Sequence, residues 1–171
     1  MVLFFAAVFL VVSVRRFLTA MAVKNRLSFD TGLLVLAAKH QIDKGPNSDK
    51  IDPLLERVSS APAARAVSEI LNHAGADLTE MRQEHALELM SAANLCRDSE
   101  ETTSLVMLFG LVVVVLLGVF YTLDPWSGGV FIAGYTVLAI ASTVYGAVAR
   151  DLEEAPRILR SLYEYKRRAQ S

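Results

Sequence analysis

Two uncharged apolar stretches decide the fold of this chain: TTSLVMLFGLVVVVLLGVFYTL (Thr102–Leu123) and PWSGGVFIAGYTVLAIASTVYGAVA (Pro125–Ala149), which are 22 and 25 residues long. At about 1.5 Å per residue, each helix is long enough to cross a hydrocarbon core of about 30 Å. A proline and two glycines in Asp124–Gly129 predict a break between them, and Trp126 suits an interfacial anchor at headgroup level. The sequence therefore predicts a transmembrane hairpin over residues 102–149.

The first 14 residues (MVLFFAAVFLVVSV) form a third uncharged apolar stretch, which ends at Arg15-Arg16. Fourteen residues give about 21 Å of helix, so a full span requires the helix to continue through Phe17–Val23. A cleaved signal peptide is the alternative, because Ala20-Met21-Ala22 resembles a small-x-small cleavage site. The arginine pair precedes that site and no basic residue precedes the apolar run, so we expect residues 1–23 to be a retained first span.

The basic residues lie in two parts of the chain. Eleven of the 17 Lys and Arg residues lie between the first apolar stretch and the hairpin, and the other six follow the hairpin. Basic segments stay on the side from which insertion occurs, so we expect residues 24–101 and the tail 150–171 to be cytoplasmic, with the N-terminus outside a bacterial inner membrane. The predicted fold is an all-α integral membrane protein with three transmembrane helices, and a helical cytoplasmic segment between spans 1 and 2.

Helical periodicity runs through the cytoplasmic segment. Ser28 and Asp30 are candidate N-caps of a first helix. The apolar face of that helix is expected to comprise Leu33, Leu36, Ala37 and His40. Further helices are expected around residues 49–58 and from Pro62 onward. One long helix is expected from Leu78 to Leu123, because no proline interrupts that stretch.

The tail 150–171 has the pattern of an amphipathic helix, with Pro156 as a candidate kink. Its expected stripe comprises Leu152, Ala155, Leu159, Leu162, Tyr163 and Lys166. The basic cluster Lys166, Arg167 and Arg168 is a candidate contact for anionic membrane lipid. A solvated helix end is the equal alternative.

Catalytic and cofactor-binding motifs are not recognisable in the sequence. His40, His73 and His85 are 33 and 12 residues apart, which is not the paired spacing of a helical metal site. The single cysteine, Cys96, excludes an internal disulfide. The net charge of −1 gives no reason to expect nucleic acid as a partner. We therefore expect no enzyme activity, no cofactor and no metal.

The last span carries small and hydroxyl-bearing side chains at helical spacing. The members of this candidate stripe are Tyr135, Ala139, Ser142, Thr143 and Gly146. Gly110 and Gly118 mark a candidate second packing face on the preceding span. Such residues let another helix approach closely and form hydrogen bonds across the contact. Packing among the protein's own spans is one explanation, and a homo-oligomer around a partner helix is the explanation we favour.

A short motif in the last span resembles a known family. Ala141–Ala147 (ASTVYGA) resembles the Thr-Thr-x-Tyr-Gly stretch in the last span of the flagellar branch of the MotA/TolQ/ExbB family of proton-channel subunits. The layout of spans and cytoplasmic segment is similar along the whole chain. The resemblance implies a polar path at Thr143 and Ser142, in an oligomer that encloses the helices of a single-span, Asp-bearing partner and couples ion flow to motion. Val113–Val115 stands where the family has a Gly-Thr pair, so no path residue is carried over onto that span.

The sequence thus favours a non-enzymatic subunit of an oligomeric membrane complex, with a MotA/TolQ/ExbB-like channel subunit as the specific hypothesis. The alternative is a structural or accessory scaffold subunit of a respiratory, secretion or other membrane assembly. A small pore-former fits the chain length but not the helical cytoplasmic segment. Neither span of the hairpin contains Asp, Glu, Lys, Arg or His, so any proton path would need a titrating group from a partner.

Overall fold

The computed structural model of the protein describes residues 2–28, 30–44, 61–73, 78–121 and 124–170. Its helices are α1 (Val2–Leu27), α2 (Thr31–Lys44), α3 (Pro62–Asn72), α4 (Thr79–Phe120) and α5 (Pro125–Gln170). Three helices are long and apolar enough to cross a membrane. The predicted all-α class with three candidate spans is confirmed at that level for the described residues. The helix expected around residues 49–58 lies outside them.

The chain forms two compact units. The first unit comprises residues 1–25 and 95–147, and the second comprises residues 26–94 and 148–171. The first unit contains the apolar stretches, whereas the second contains most of the charged residues. Because α4 and α5 each continue from one unit into the other, both units share these two helices.

Small residues on one face of α1 pack into the first unit. Ala6, Ser13 and Ala20 recur every seven residues and are each 0% exposed. A seven-residue repeat of inward positions keeps one side of a helix against its neighbours over several turns. A full span requires α1 to continue beyond the arginine pair, and it does, since the helix ends at Leu27.

Packing partners fix the directions of the three helices in the first unit. Phe9 of α1 lies against Gly134 of α5, and further along α1 Ala20 packs with Ala141 and Tyr145. The later residue of α1 contacts the later residue of α5, so the two helices run in the same direction. On α4 the partner of Phe9 is Gly110, and α4 returns in the opposite direction. The beginning of α1 therefore lies at the same end of this unit as the hairpin connection.

The connection within the hairpin differs from the prediction. We expected two glycines to break the helix, but α5 begins at Pro125 and Gly128 and Gly129 are already helical. The Asp124 carboxylate accepts a hydrogen bond from the Ser127 backbone N–H at 2.9 Å, as an N-cap does. Proline suits the first helical position because its missing N–H would have no partner there. The predicted break over the glycines is therefore wrong.

Both long helices are continuous. α4 has 42 residues and passes through the charged cluster at 97–101 without interruption. α5 has 46 residues and contains Pro156 without a break in helical structure. The expected boundary between hairpin and tail at residues 149–150 is therefore a change in composition and not the end of a helix. Thr122 and Leu123, the expected end of α4, lie outside the described residues.

The second unit confirms one predicted face and corrects another. All six residues of the tail stripe are 6% exposed or less, so this face of α5 is buried as predicted. On α2 the expected face was wrong: Leu33 and Leu36 are 61% and 65% exposed, while Leu34, Val35 and Ala38 are buried. Apolar residues occupy both sides of α2, so the periodicity of its sequence did not select the correct side.

The caps and the entry to α3 show how local sequence starts these helices. Asp30 accepts a hydrogen bond from the Leu33 backbone N–H at 3.1 Å and caps α2. Ser28, the other candidate cap, donates instead to Asp151 of α5 at 3.3 Å. Pro62 occupies the first turn of α3, as predicted. The buried residues of α3 include Ala66, Val67 and Ile70.

Candidate functional site

The candidate stripe on the last span does not form a single surface. The buried face of α5 in the first unit comprises Ser127, Phe131, Gly134, Leu138, Ala141 and Tyr145. Ala139 and Thr143 are exposed, whereas Tyr135, Ser142 and Gly146 are partly buried. The five predicted residues therefore divide into two that face away from the protein's own helices and three at the margin of the packed face.

The Thr143 hydroxyl donates its hydrogen bond within its own helix. Its Oγ1 donates to the backbone oxygen of Ala139 at 2.6 Å. Thr136, seven residues earlier and also exposed, donates to Ile132 O at 3.0 Å in the same way. The lone pairs of both hydroxyl oxygens remain available as acceptors on the exterior of α5.

Tyr135 connects α5 to α4 and α1. Its hydroxyl donates to the backbone oxygen of Met107 at 2.8 Å, and its ring lies 5.0 Å from the Phe9 ring, centroid to centroid. A hydrogen bond between helices is valuable where water is excluded, because the phenol would otherwise lack a partner. Tyr135 is therefore placed as an internal tie between helices in the first unit.

Two glycines form a slot for the Phe9 ring. A Cβ atom built on Gly134 would lie 2.7 Å from the ring, and one built on Gly110 would overlap it even more closely. Glycine at both positions lets the aromatic ring of α1 lie directly against the backbones of α4 and α5. Gly118, the other glycine of the expected second packing face, is exposed, so only Gly110 of that pair packs.

Gly146 accommodates a carboxylate of the same unit. A Cβ atom built there would lie 2.8 Å from Glu100 Oε1, which belongs to α4 two residues before the apolar stretch. Thr103, one turn further along α4, is 0% exposed. The small residue at position 146 thus makes room for Glu100 at one end of the apolar part of the hairpin.

The second unit contains a polar network, centred on the buried His85, that the sequence did not reveal. The His85 imidazole is held at both nitrogens: Nε2 lies 2.7 Å from Glu69 Oε2, and Nδ1 lies 2.6 Å from the Tyr163 hydroxyl. These three residues come from α3, α4 and α5. Arg65 and Glu88 form a second contact between α3 and α4 at 2.9 Å. The partners are 16 and 78 residues apart in sequence, so the network is not visible there. A tyrosine on a mostly apolar stripe is nevertheless a signal of a buried hydrogen bond.

We expect Tyr163→Phe to lower the free energy of unfolding by about 1–3 kcal/mol, because a buried ring nitrogen loses its donor. Burial, aided by the Glu69 charge, raises the pKa of Tyr163 to about 12. In the unfolded chain the phenol titrates near pH 10. The protonated phenol is therefore favoured by folding, and its contribution is complete below about pH 10 and is lost as the pH rises toward about 12. Unfolding measured across that range should show this loss in the native protein and not in Tyr163→Phe.

Lys166 has a different role from the one expected. Its side chain is buried, and Nζ donates to the backbone oxygens of Ile70, Leu71 (3.0 Å) and His73 (2.6 Å). These carbonyls end α3, where a cation is favoured by the helix dipole. Burial lowers the pKa of Lys166. The ammonium is engaged by protein carbonyls and is not placed to contact lipid.

The remaining sequence candidates form no further cluster. Arg167 and Arg168 are exposed near the end of α5, and Trp126 is 81% exposed at its beginning. Within the described ranges, no group of three or more His, Cys, Asp or Glu residues is placed to hold a metal ion. Cys96 is buried.

No protein-family model, curated protein or solved structure matches this chain. Its three apolar helices are consistent with a multi-pass membrane protein.

Proposed function

We propose that this protein is a non-enzymatic subunit of an oligomeric membrane complex. The observation that carries the proposal is the division of α5 into two faces. Its inner face packs through residues such as Phe131, Leu138 and Tyr145, while Ala139 and Thr143 stay exposed on the other side. Small and hydroxyl-bearing residues are the ones that membrane helices use to associate. The protein's own spans do not cover these two, so a second copy or another subunit is the expected neighbour.

The seating of α1 supports a retained first span. The Phe9 ring fills the slot between Gly110 and Gly134, and the three small residues of its face are fully buried. A mature protein without this helix would lose that packing. We propose that α1, α4 and α5 all cross a bacterial inner membrane, with the N-terminus outside and the basic segments in the cytoplasm.

The specific form of the proposal is a MotA/TolQ/ExbB-like subunit that encloses the helix of an Asp-bearing, single-span partner and couples ion flow to motion. The outward oxygen of Thr143 supports it, since a threonine with free lone pairs can accept from water or a proton carrier along such a path. The alternative is a structural or accessory scaffold subunit. The position of Gly146 favours this alternative, because Glu100 of the protein's own α4 occupies the space beside this glycine.

Native mass spectrometry of the complex, released from nanodiscs, tests the proposal. Several copies of this chain, alone or around a single-span protein, are expected for the channel form. One copy among many unlike subunits would favour the scaffold. A monomer that binds no other protein would contradict both forms.

We expect Thr143→Val to abolish ion flux through the channel form, because valine keeps the shape and removes the oxygen. Thr136→Val is the matched control, since it removes an equivalent hydroxyl seven residues away on the same exposed side. Flux measured in proteoliposomes separates the outcomes. In a scaffold, each substitution should weaken association by only about 0.6 kcal/mol, roughly threefold in dissociation constant. Equal loss of flux in both variants would argue against a path localised at Thr143.

A further inference from the structure

The outer side of α1 carries an open groove with a volume of about 640 Å³. Val11 and Leu18 line it and are 68% and 61% exposed. Each lies two residues before a member of the packed face, Ser13 or Ala20, and two residues are about half a turn of helix. The groove therefore lies on the side of α1 that faces away from α4 and α5. Its lining residues include Leu10, Val11, Val14, Arg15, Leu18 and Thr19.

The apolar side chains of this groove suit a lipid chain better than another helix. Membrane helices approach one another through small residues, and α1 uses such residues on its inner face. The outer side instead carries branched side chains, among them Val11, Val14 and Leu18, which keep the backbone of a neighbouring helix at a distance. A flexible hydrocarbon chain can follow such a surface, so an acyl chain is the expected neighbour.

Arg15 places a positive charge in this groove at the level of the apolar stretches. Phe9 of α1 lies against Gly134 of α5, and Ala20 packs with Ala141. Arg15 lies between Phe9 and Ala20 in the chain, so its backbone is level with the part of α5 between Gly134 and Ala141, which is uncharged. An arginine side chain can extend from such a depth toward the headgroups. A cation on a lipid-facing position is costly unless an anion pairs with it.

The described part of the protein supplies no anion for this arginine. The sequence contains no Asp or Glu before Asp30, and none of the ion pairs among the described residues includes Arg15. The other polar lining residue is Thr19, whose Oγ1 donates to the Arg15 backbone oxygen at 2.9 Å. The guanidinium is therefore the donor that the groove offers to a ligand. Its planar fork matches the oxygens of a phosphate group.

We propose that this groove binds an anionic phospholipid, with the lipid phosphate on Arg15 and an acyl chain along Val14, Val11 and Leu10. A headgroup without a positive charge is favoured, because the residues that line the groove include no carboxylate to pair with a lipid ammonium. The inference rests on the proposed crossing of the membrane by α1, and it does not depend on the number of copies in the complex.

Native mass spectrometry of the full-length protein tests this site, after release from nanodiscs that contain equal amounts of phosphatidylglycerol and phosphatidylcholine. The measured quantity is the ratio of the two lipids that each chain retains. We expect phosphatidylglycerol to be retained in excess. Arg15→Gln should lower the ratio about fivefold, the equivalent of about 1 kcal/mol for one basic residue near the membrane surface. Insertion with equal retention of both lipids would overturn this inference alone, whereas failure to insert would also contradict the proposed membrane crossing.

Three further variants separate a bound lipid from diffuse attraction. Lys24→Gln removes another exposed cation of α1, outside the groove, and should change the ratio clearly less than Arg15→Gln does. Val14→Trp fills the groove without changing the charge and should release the lipid. Leu116→Trp makes a similar change on an exposed side of α4 and should retain it.

Two results would refute the lipid site. Equal effects of Arg15→Gln and Lys24→Gln would indicate a diffuse attraction between basic residues and the membrane. Loss of subunit association in Arg15→Gln, without any lipid preference in the native protein, would assign the groove to a partner helix that carries a carboxylate.

Discussion

Gly110→Ala should destabilise the protein by about 1–3 kcal/mol, the usual effect of adding a methyl group where the packing leaves no room. The new Cβ would overlap the Phe9 ring, and that ring is confined on its other side by Gly134. Relief therefore requires the Phe9 ring to leave its position or α1 to move away from α4 and α5. Reversible unfolding in mixed micelles, with its free energy compared between variants, measures the effect.

Two companion variants make this result specific to the slot. Gly128→Ala adds the same methyl group to the same hairpin where nothing lies within 4 Å, so no loss of stability is expected. Phe9→Ala alone should cost about 3–5 kcal/mol through lost packing. The double variant Phe9→Ala/Gly110→Ala should lose clearly less stability than the sum of the losses in the two single variants, because the new alanine methyl group at position 110 then occupies part of the space that the ring has left. Strict additivity would show that the ring is not the obstacle.

Lys166→Met should lower the free energy of unfolding by about 3 kcal/mol, and the loss of stability should be largest in α3. Three backbone oxygens at the end of α3 lose their donor, and hydrogen bonds to a charged group contribute about 1.5–3 kcal/mol when the unpaired partner stays buried. Methionine fills a similar volume, so the loss of the ammonium dominates the change. Faster hydrogen exchange in residues 62–72 is the measurement that localises the effect.

The neighbouring arginine provides the control for Lys166. Arg167→Met removes one positive charge from the same turn of α5, but its side chain is exposed. It should leave α3 unaffected, whereas a general effect of charge on the tail would appear in both variants. Lys166→Arg should restore little, because a planar guanidinium does not fit a site shaped around a compact ammonium. Full stability of Lys166→Met would mean that water satisfies the carbonyls.

Much of the helical framework was predictable because apolar periodicity and helix breakers determine it. The stretches 102–120 and 125–149 are helical for reasons that composition alone supplies, and the tail stripe from Leu152 to Lys166 is buried at every predicted position. α2 shows where this reasoning fails. Both of its sides carry leucine, and only the tertiary contacts decide that Leu34 is buried and Leu33 is not.

The polar contacts were not predictable, because each joins residues far apart in the chain. His85 has no metal-binding pattern around it in sequence, and its two hydrogen-bond partners come from two other helices. Lys166 illustrates a general difficulty: a basic residue near a chain end resembles a lipid contact or a solvated charge. Lys166 lies on the same stripe as Leu159 and Leu162, and this position was the sequence signal that its side chain points inward. A buried lysine needs buried acceptors, which the structure supplies.

The seat of Phe9 has a consequence for the order in which the protein is assembled. The ring is synthesised about 125 residues before Gly134, the second half of its slot. At translation rates of about 5–20 residues per second, this interval is about 6–25 s. During that time the slot that seats the Phe9 ring is incomplete, because Gly134 has not yet been made. α1 is thus made well before the two helices that it packs against, and its docking is expected to follow their synthesis.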